Sequence, residues 1–156
     1  MTSRYAESTQ VSSDRSRAEI ERTLRRYNAS AFAYGWDQAR ATVAFEIAGR
    51  RILFRLPMPD PNAAEFTETP TGRERSANAA EQAYEQAVRQ RWRALALVIK
   101  AKLEAVAAGI TTVEQEFGMF IQLPDGSTVG EQVLPRIALA YETGQIPALL
   151  PGRGDE

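Results

Sequence analysis

The chain has 156 residues, of which 44% are hydrophobic and 25% charged, and its formal net charge is −1 at neutral pH. These values are typical of one soluble globular domain, and no apolar run approaches the roughly 20 residues that a membrane span requires. The chain has no cysteine and no histidine, which excludes disulfides, thiolate zinc sites, Ser-His-Asp and Cys-His nucleophiles, and the commonest general base.

The absence of cysteine and histidine limits the catalytic chemistry that is open to this chain. An enzyme would have to rely on carboxylate, Lys, Tyr, Ser or Thr chemistry, or on Mg²⁺ held by oxygen ligands. No Gly-rich phosphate motif and no metal-ligand spacing is present. We therefore expect a non-enzymatic protein with no cofactor, no metal and no catalytic residues, and we keep a carboxylate-dependent Mg²⁺ enzyme as the weakest alternative.

Charge is distributed unevenly along the chain. Residues 15–55 hold nine arginines and four acidic residues, and residues 89–102 hold five basic residues and no acid. Residues 103–156 hold eight acidic residues and only two arginines. Such asymmetry indicates either basic helices that pack against acidic ones or a polar binding surface.

The first part of the chain predicts a tail followed by a helix. Residues 1–14 are rich in Ser and Thr without periodicity, which is typical of a disordered tail. Ser16 and Glu19 form a capping-box pattern that opens a helix to about Tyr27. The polar N-terminus lacks the apolar stretch of a secretory signal, so we expect a cytoplasmic protein.

Three segments then alternate in hydrophobicity and predict a three-strand antiparallel meander. A four-residue loop at 37–40 pairs Tyr34 with Val43, and a type II′ turn at Gly49-Arg50 pairs Phe45 with Phe54. The stripe Phe32, Tyr34 and Trp36 is either a stacking platform for nucleic-acid bases or part of the core face. We favour the core, because the apolar residues of the paired strands fall on the same side.

The second half is dominated by one long helix. Residues 58–76 form a long polar loop, and Asn78 to Ala108 contains no Gly or Pro and is rich in helix formers. Its central ALALVI is apolar on nearly every side, which predicts enclosure by other elements. Met119–Leu123 is typical of a fourth strand, Thr128 and Glu131 cap another helix, and 145–151 is an apolar tail expected to dock on the body.

These elements predict one α+β domain over 15–151 between disordered tails at 1–14 and 152–156. Its sheet lies under the long central helix, which the N- and C-terminal helices flank. The long helix and the apolar tail are the surfaces through which copies of the chain could associate. If a polyanion site exists, we expect it on the first helix and on the loop before the long helix, where a helix dipole adds positive potential, at Arg22, Arg25, Arg26, Arg73 and Arg75.

Most of the chain resembles a family of small conserved proteins, mostly uncharacterised, that bacterial phages and prophages encode. The similar segments are SRAEIERTLRRYNASAFAYGW, IAGRRILFRLPMPD, RQRWRALALVIKAKLEAVAAGITT, LPDGSTVGE and YETGQIPALLP. The resemblance implies a phage protein in the cytoplasm of a bacterial host, and it brings no activity or catalytic residue with it.

Two functional hypotheses follow. We expect the partner to be nucleic acid or a phage or host protein, and we do not expect a membrane. The first is a non-enzymatic binding protein that acts on nucleic acid or on a replication or recombination complex. The alternative is an inhibitor of a host defence system that binds a defence protein or its nucleotide signal, which the acidic 103–156 segment favours.

Overall fold

The computed structural model of the chain describes residues 4–37, 39–150 and 152, with side chains from Ser13 onwards in the first helix. The helices are α1 (Arg4–Arg26), α2 (Ala64–Thr67), α3 (Ala77–Ala107), α4 (Val113–Phe117) and α5 (Val129–Thr143). The strands are β1 (Ala31–Trp36), β2 (Arg40–Ile47) and β3 (Arg50–Pro57), and a 3-10 turn, η1, covers Gly118–Phe120. No helix among the described residues is long and apolar enough to cross a membrane.

Helix α1 begins earlier than the capping-box pattern predicts. It starts at Arg4, so Ser16 and Glu19 lie inside it and the helix takes in most of the segment expected as a disordered tail. The physical reason is that residues 4–26 contain no Gly or Pro to interrupt the helix. Residues 1–3 and 153–156, which belong to the two predicted tails, lie outside the described residues.

The three-strand meander in the order β1-β2-β3 is confirmed, and so is the pairing of β1 with β2. The predicted register between β2 and β3 is wrong by two residues. Phe45 pairs with Ile52, because the turn residues are Ala48 and Gly49, both with positive φ as in a type I′ turn. A shift of two keeps every apolar side chain on its face, and it places Glu46 opposite Arg51, whose side chains pair at 3.2 Å.

One apolar face of the sheet packs under α3, as predicted, and α1 also contributes buried residues to this core. The core joins Val43, Phe45, Ile52 and Phe54 of the sheet to buried residues of the two helices and of α4, including Ile20, Leu24, Trp92, Leu95, Ile99, Leu103 and Phe117. In the stripe of β1, however, only Phe32 packs against this core. Tyr34 is 48% exposed and Trp36 is 75% exposed, because they reach the edge that α1 covers only in part.

Two further predictions are corrected. The fourth strand is replaced by η1 and by isolated bridges from Ile121 to Ile52 and from Gln122 to Thr128, since the chain turns at Gly118 and meets β3 at a single position. The ALALVI segment is not enclosed: Leu97 and Val98 are 54% and 43% exposed, because the sheet and α1 cover only one side of α3.

Capping residues define where α3 and α5 begin. Ser76 accepts a hydrogen bond from Ala79 N at 3.2 Å and caps α3, and Thr128 and Glu131 form the predicted capping box of α5. The apolar tail touches the body through the Leu149 carbonyl, which accepts from Arg136 Nη1 at 3.0 Å, while Ile146 in the same tail is 88% exposed. The predicted docking of the tail is therefore partial.

Candidate functional site

The five arginines predicted as a polyanion site fall into two groups. Arg22, Arg25 and Arg26 lie in the last two turns of α1, and all three are exposed. Arg73 and Arg75 lie before α3, in a segment closed by the Glu68–Glu74 bridge and by the hydrogen bond from Arg75 N to Thr67 O at 2.7 Å. The 58–76 loop is thus ordered by its own hydrogen bonds rather than irregular.

Helices α1 and α3 run side by side in the same direction, which keeps these two groups apart. The Arg17 guanidinium lies over the Trp92 ring, and Ser13, one turn earlier, lines the same cavity as Glu85, two turns earlier on α3. The arginines that end α1 therefore lie beside the C-terminal half of α3. At 1.5 Å per residue, they stand about 30 Å from the loop arginines along the helix axis. The five do not form one cluster.

Other basic residues join the α1 group instead. Arg91 Nη1 donates to the Pro57 carbonyl at the end of β3 over 2.6 Å, which fixes the side of α3 that faces β3. At about 100° per residue, Arg89, Arg93 and Lys100 lie about 160–180° around the helix from Arg91, on the side of α1. We call Arg22, Arg25, Arg26, Arg89, Arg93 and Lys100 the helical basic surface.

Most cations of the helical basic surface are not used by the fold. Arg25 pairs with Glu21 on the same helix at 2.9 Å, and Arg26 lies over the Tyr27 ring at 5.8 Å. Among the described residues, no carboxylate lies within ion-pair distance of the other four or of Arg26. Arg22, Arg93 and Lys100 are exposed, so this surface can meet an anionic partner without breaking folded contacts.

A separate feature is a cavity of about 990 Å³ at the other end of the sheet. Its walls come from α1, from the turn after β1, from residues 58–62 and from the N-terminal half of α3. We call it the aromatic cavity and define it by Arg17, Trp36, Tyr84, Glu85, Val88 and Trp92. Phe66 of α2 packs edge-on against Tyr84 at 5.7 Å and so holds one wall in place.

The cation of the aromatic cavity, Arg17, already interacts with two aromatic rings and a carboxylate. The Arg17 guanidinium lies 4.8 Å from the Tyr34 ring centroid and 5.3 Å from that of Trp92, and it pairs with Asp14 one turn earlier. Cation–π contact and the ion pair together fix its position and offset its charge. Arg17 therefore has a structural role, because its side chain contacts residues of α1, β1 and α3.

The carboxylates of the cavity differ in what satisfies them. The N–H groups of Ala39 and Arg40 donate to Asp37 Oδ1 over 2.8 and 2.9 Å and hold the pKa of Asp37 below its ordinary value. Asp60 accepts from Asn62 N at 2.9 Å. Glu85 is only 6% exposed, and its Oε2 atom has no hydrogen-bond partner within the described ranges.

Sequence reasoning missed the aromatic cavity. Trp36 alternates with small residues, a pattern that favours the core, and Arg17 stands among other arginines that face water. A usable signal exists at Glu85, which stands two turns before Trp92 on the buried stripe of α3, where a carboxylate is out of place. The acid-free segment 89–102 is visible in the sequence, but the predicted site leaves out Arg93 and Lys100.

Among residues 4–37, 39–150 and 152, no group of three or more acidic side chains comes together in a way that could hold a metal ion. Comparisons of this chain with protein-family models, with curated proteins and with solved structures each give no match.

Proposed function

We propose that this protein is a phage-encoded, non-enzymatic binding protein that acts on nucleic acid, or on a replication or recombination complex, in the cytoplasm of the bacterial host. The observation that carries the proposal is the helical basic surface. It presents cations from two parallel helices, and folding uses few of them.

The chemistry of this surface suits a phosphate backbone. Exposed Arg and Lys side chains neutralise phosphates and release counterions, a contribution that needs no base-specific contact. Leu97 of α3 is 54% exposed and lies about 40° around the helix from Arg93, so an exposed apolar side chain adjoins the cations. Such a side chain supports contact with sugars and base edges, or with a protein of the same complex.

The alternative, an inhibitor of a host defence system, draws on the acidic 103–156 segment. Several of those acids are engaged by basic residues of the fold. Glu131 pairs with Arg55, Glu116 with Lys102 at 3.4 Å, and Glu114 with Arg50 at 3.7 Å. This supports the interpretation that basic elements pack against acidic ones, and it leaves less free acidic surface for mimicry of a polyanion.

Gel retardation with short single- and double-stranded DNA and RNA tests the proposal. We expect binding at low salt that weakens steeply as salt rises, because each neutralised phosphate releases counterions. The double variant Arg22→Glu/Arg93→Glu should bind severalfold more weakly and with a flatter salt dependence, and it should fold normally since both side chains are exposed.

The matched control is Arg73→Glu/Arg75→Glu, which makes the same charge change at the other predicted group. It should bind nearly as well as the unchanged protein. Loss of binding in this control alone would move the site to the loop before α3. Absence of retardation at low salt with every nucleic acid would overturn the proposal, and copurification of a host protein would then favour the alternative.

A further inference from the structure

Glu85 is a buried carboxylate on the wall of the aromatic cavity. The residue is only 6% exposed, its Oε2 atom lacks a hydrogen bond within the described residues, and it lines the aromatic cavity. A carboxylate oxygen removed from water without a partner is costly, so a site of this kind is completed when a donor or a cation binds. The carboxylate is the polar anchor of the cavity.

The walls around this anchor are apolar and aromatic. Trp36, Tyr84 and Trp92 line the cavity together with Val88 and Met58. Aromatic faces attract cations and pack well against alkyl chains. Trp36 is 75% exposed, so it is free to cover a ligand from the solvent side.

The charged residues that line the cavity favour a ligand of positive charge. Among the described residues that line the cavity, three are carboxylates, Asp37, Asp60 and Glu85, and one is a cation, Arg17. Arg17 is already paired with Asp14 and stacked between two rings, so it has little positive charge to offer an anion. A phosphate would meet repulsion here, whereas a cation would be attracted.

A metal ion is a poor occupant for two reasons. Among the described residues no three acidic side chains come together in a way that could hold a metal ion, so the carboxylates of the cavity do not form a ligand cluster, and its tryptophan rings supply no oxygen ligands. A volume of about 990 Å³ also exceeds what a bare ion needs and suits an organic molecule.

We propose that the aromatic cavity binds a small organic cation, an alkylammonium or guanidinium group, whose charge is taken by Glu85 and whose alkyl body packs between Trp36 and Val88. Such a group comes either from a free amine, such as a polyamine or agmatine, or from a Lys or Arg side chain of a polypeptide. The site is distinct from the helical basic surface and stands whether or not that surface binds nucleic acid.

Tryptophan fluorescence gives a direct measurement. The chain has two tryptophans, and both line the aromatic cavity. Titration with agmatine and spermidine represents the free amines, and titration with the N-acetyl amides of arginine and lysine represents a polypeptide side chain. We expect a saturable fluorescence change with at least one of these cations and none with AMP.

Two variants test the residues. Glu85→Gln removes the charge at nearly constant shape, and calorimetry should show binding weakened about tenfold or more. Glu81→Gln is the matched control, because it makes the same change one turn earlier on α3, at an exposed position that does not line the cavity, and it should bind like the unchanged protein. Trp36→Ala should weaken binding severalfold while leaving the thermal unfolding midpoint in place.

The outcomes separate cleanly. A preference for free amines or for the amino-acid amides tells which source supplies the cation. Saturable binding that survives Glu85→Gln unchanged would overturn the proposal, as would the absence of binding by all four cations at millimolar concentration, or tighter binding of AMP. If Glu85→Gln does not fold, Trp36→Ala decides, and undiminished binding in that variant would overturn the packing of the ligand on Trp36 and with it the site.

Discussion

At Gly130, α5 passes so close to η1 that a side chain does not fit. A Cβ atom there would stand 2.8 Å from the Met119 carbonyl oxygen, which belongs to the backbone and has little room to move. Gly130 is buried in the first turn of α5, two residues after the capping residue Thr128. The absence of a side chain is what allows the C-terminal helix to pack against η1.

We therefore expect Gly130→Ala to lower the free energy of unfolding by about 1–3 kcal/mol, as overpacking does in a tight contact. Urea unfolding measures the change. Gly118→Ala is the control, since its φ is −49° and nothing lies within 4 Å of its Cβ position. Equal stability of the two variants would mean that η1 yields to the extra methyl group.

Asp125 gives a second prediction at this scale. Its Oδ1 accepts from the Ser127 hydroxyl at 2.6 Å and from Ser127 N at 3.0 Å, and these bonds lower the pKa of Asp125 from its ordinary value. A lowered folded pKa means that the stabilisation is present above the unfolded pKa and is lost as pH falls through the folded one. An NMR titration should place the Asp125 pKa below the ordinary range.

Ser127→Ala should raise that pKa towards the ordinary value. The pKa of Asp37 is an internal control, because the N–H groups of Ala39 and Arg40 lower it and neither is near Ser127 in sequence. An unchanged Asp125 pKa in the variant would show that the backbone N–H alone accounts for the effect.

Among the elements, α3 contributes most to the core. Trp92, Leu95, Ile99 and Leu103 are buried along one face, and Phe45 of β2 lies under the helices with edge contact to Phe117 at 5.6 Å. These large side chains fill the space between the sheet and the helical layer. Trp36 at the end of β1 offers a contrast, since it is the same residue type as Trp92 at an exposed position.

Trp92→Ala and Phe45→Ala should each lower the free energy of unfolding by about 3–5 kcal/mol, as large core deletions do. Trp36→Ala should change it by less than about 1 kcal/mol, because little area is buried there. Urea melts that show less than about 1 kcal/mol for both core variants would mean that the core lies elsewhere.

The elements also show how much of the structure local patterns can predict. Alternation located all three strands, and the absence of Gly and Pro located α3, because both patterns report local geometry. The register of β3 depends on the turn, in which Ala48 has a positive φ of 50°. Amino-acid composition does not predict a positive φ at an alanine. The aromatic cavity depends on the placement of α1 over the end of β1, a long-range property that no local pattern encodes. The basic residues are visible in the sequence, but which of them lie together depends on the direction of α1 relative to α3.

For the whole molecule, pairs of opposite charges connect the C-terminal part to the sheet and to α3. Arg50, Arg55 and Lys102 pair with acids of α4 and α5. The paired side chains are 22–52% exposed, so each contributes little to folding. Nucleic-acid binding by the helical basic surface, in contrast, would neutralise several phosphates at the same time.

Salt should therefore separate folding from binding. Raising sodium chloride to about 0.5 M should change the free energy of unfolding by less than about 1 kcal/mol, because exposed pairs are weak and screened. The same change should abolish nucleic-acid retardation. Urea melts and retardation at matched salt concentrations measure both, and parallel losses would show that the ion pairs are structural rather than incidental.

The two edges of the sheet are finished differently. Ile121 and Gln122 lie along β3, with Gln122 N donating to Arg51 O at 2.8 Å, whereas no strand or bridge in the described part of the chain adjoins the outer side of β1. That outer edge also carries the exposed rings of Tyr34 and Trp36. Unpaired backbone groups beside exposed aromatics are a template for further strand pairing. Aggregation of this protein under mildly denaturing conditions should accordingly begin at Ala31–Trp36, and a lysine in place of Ala33 would act there as a gatekeeper.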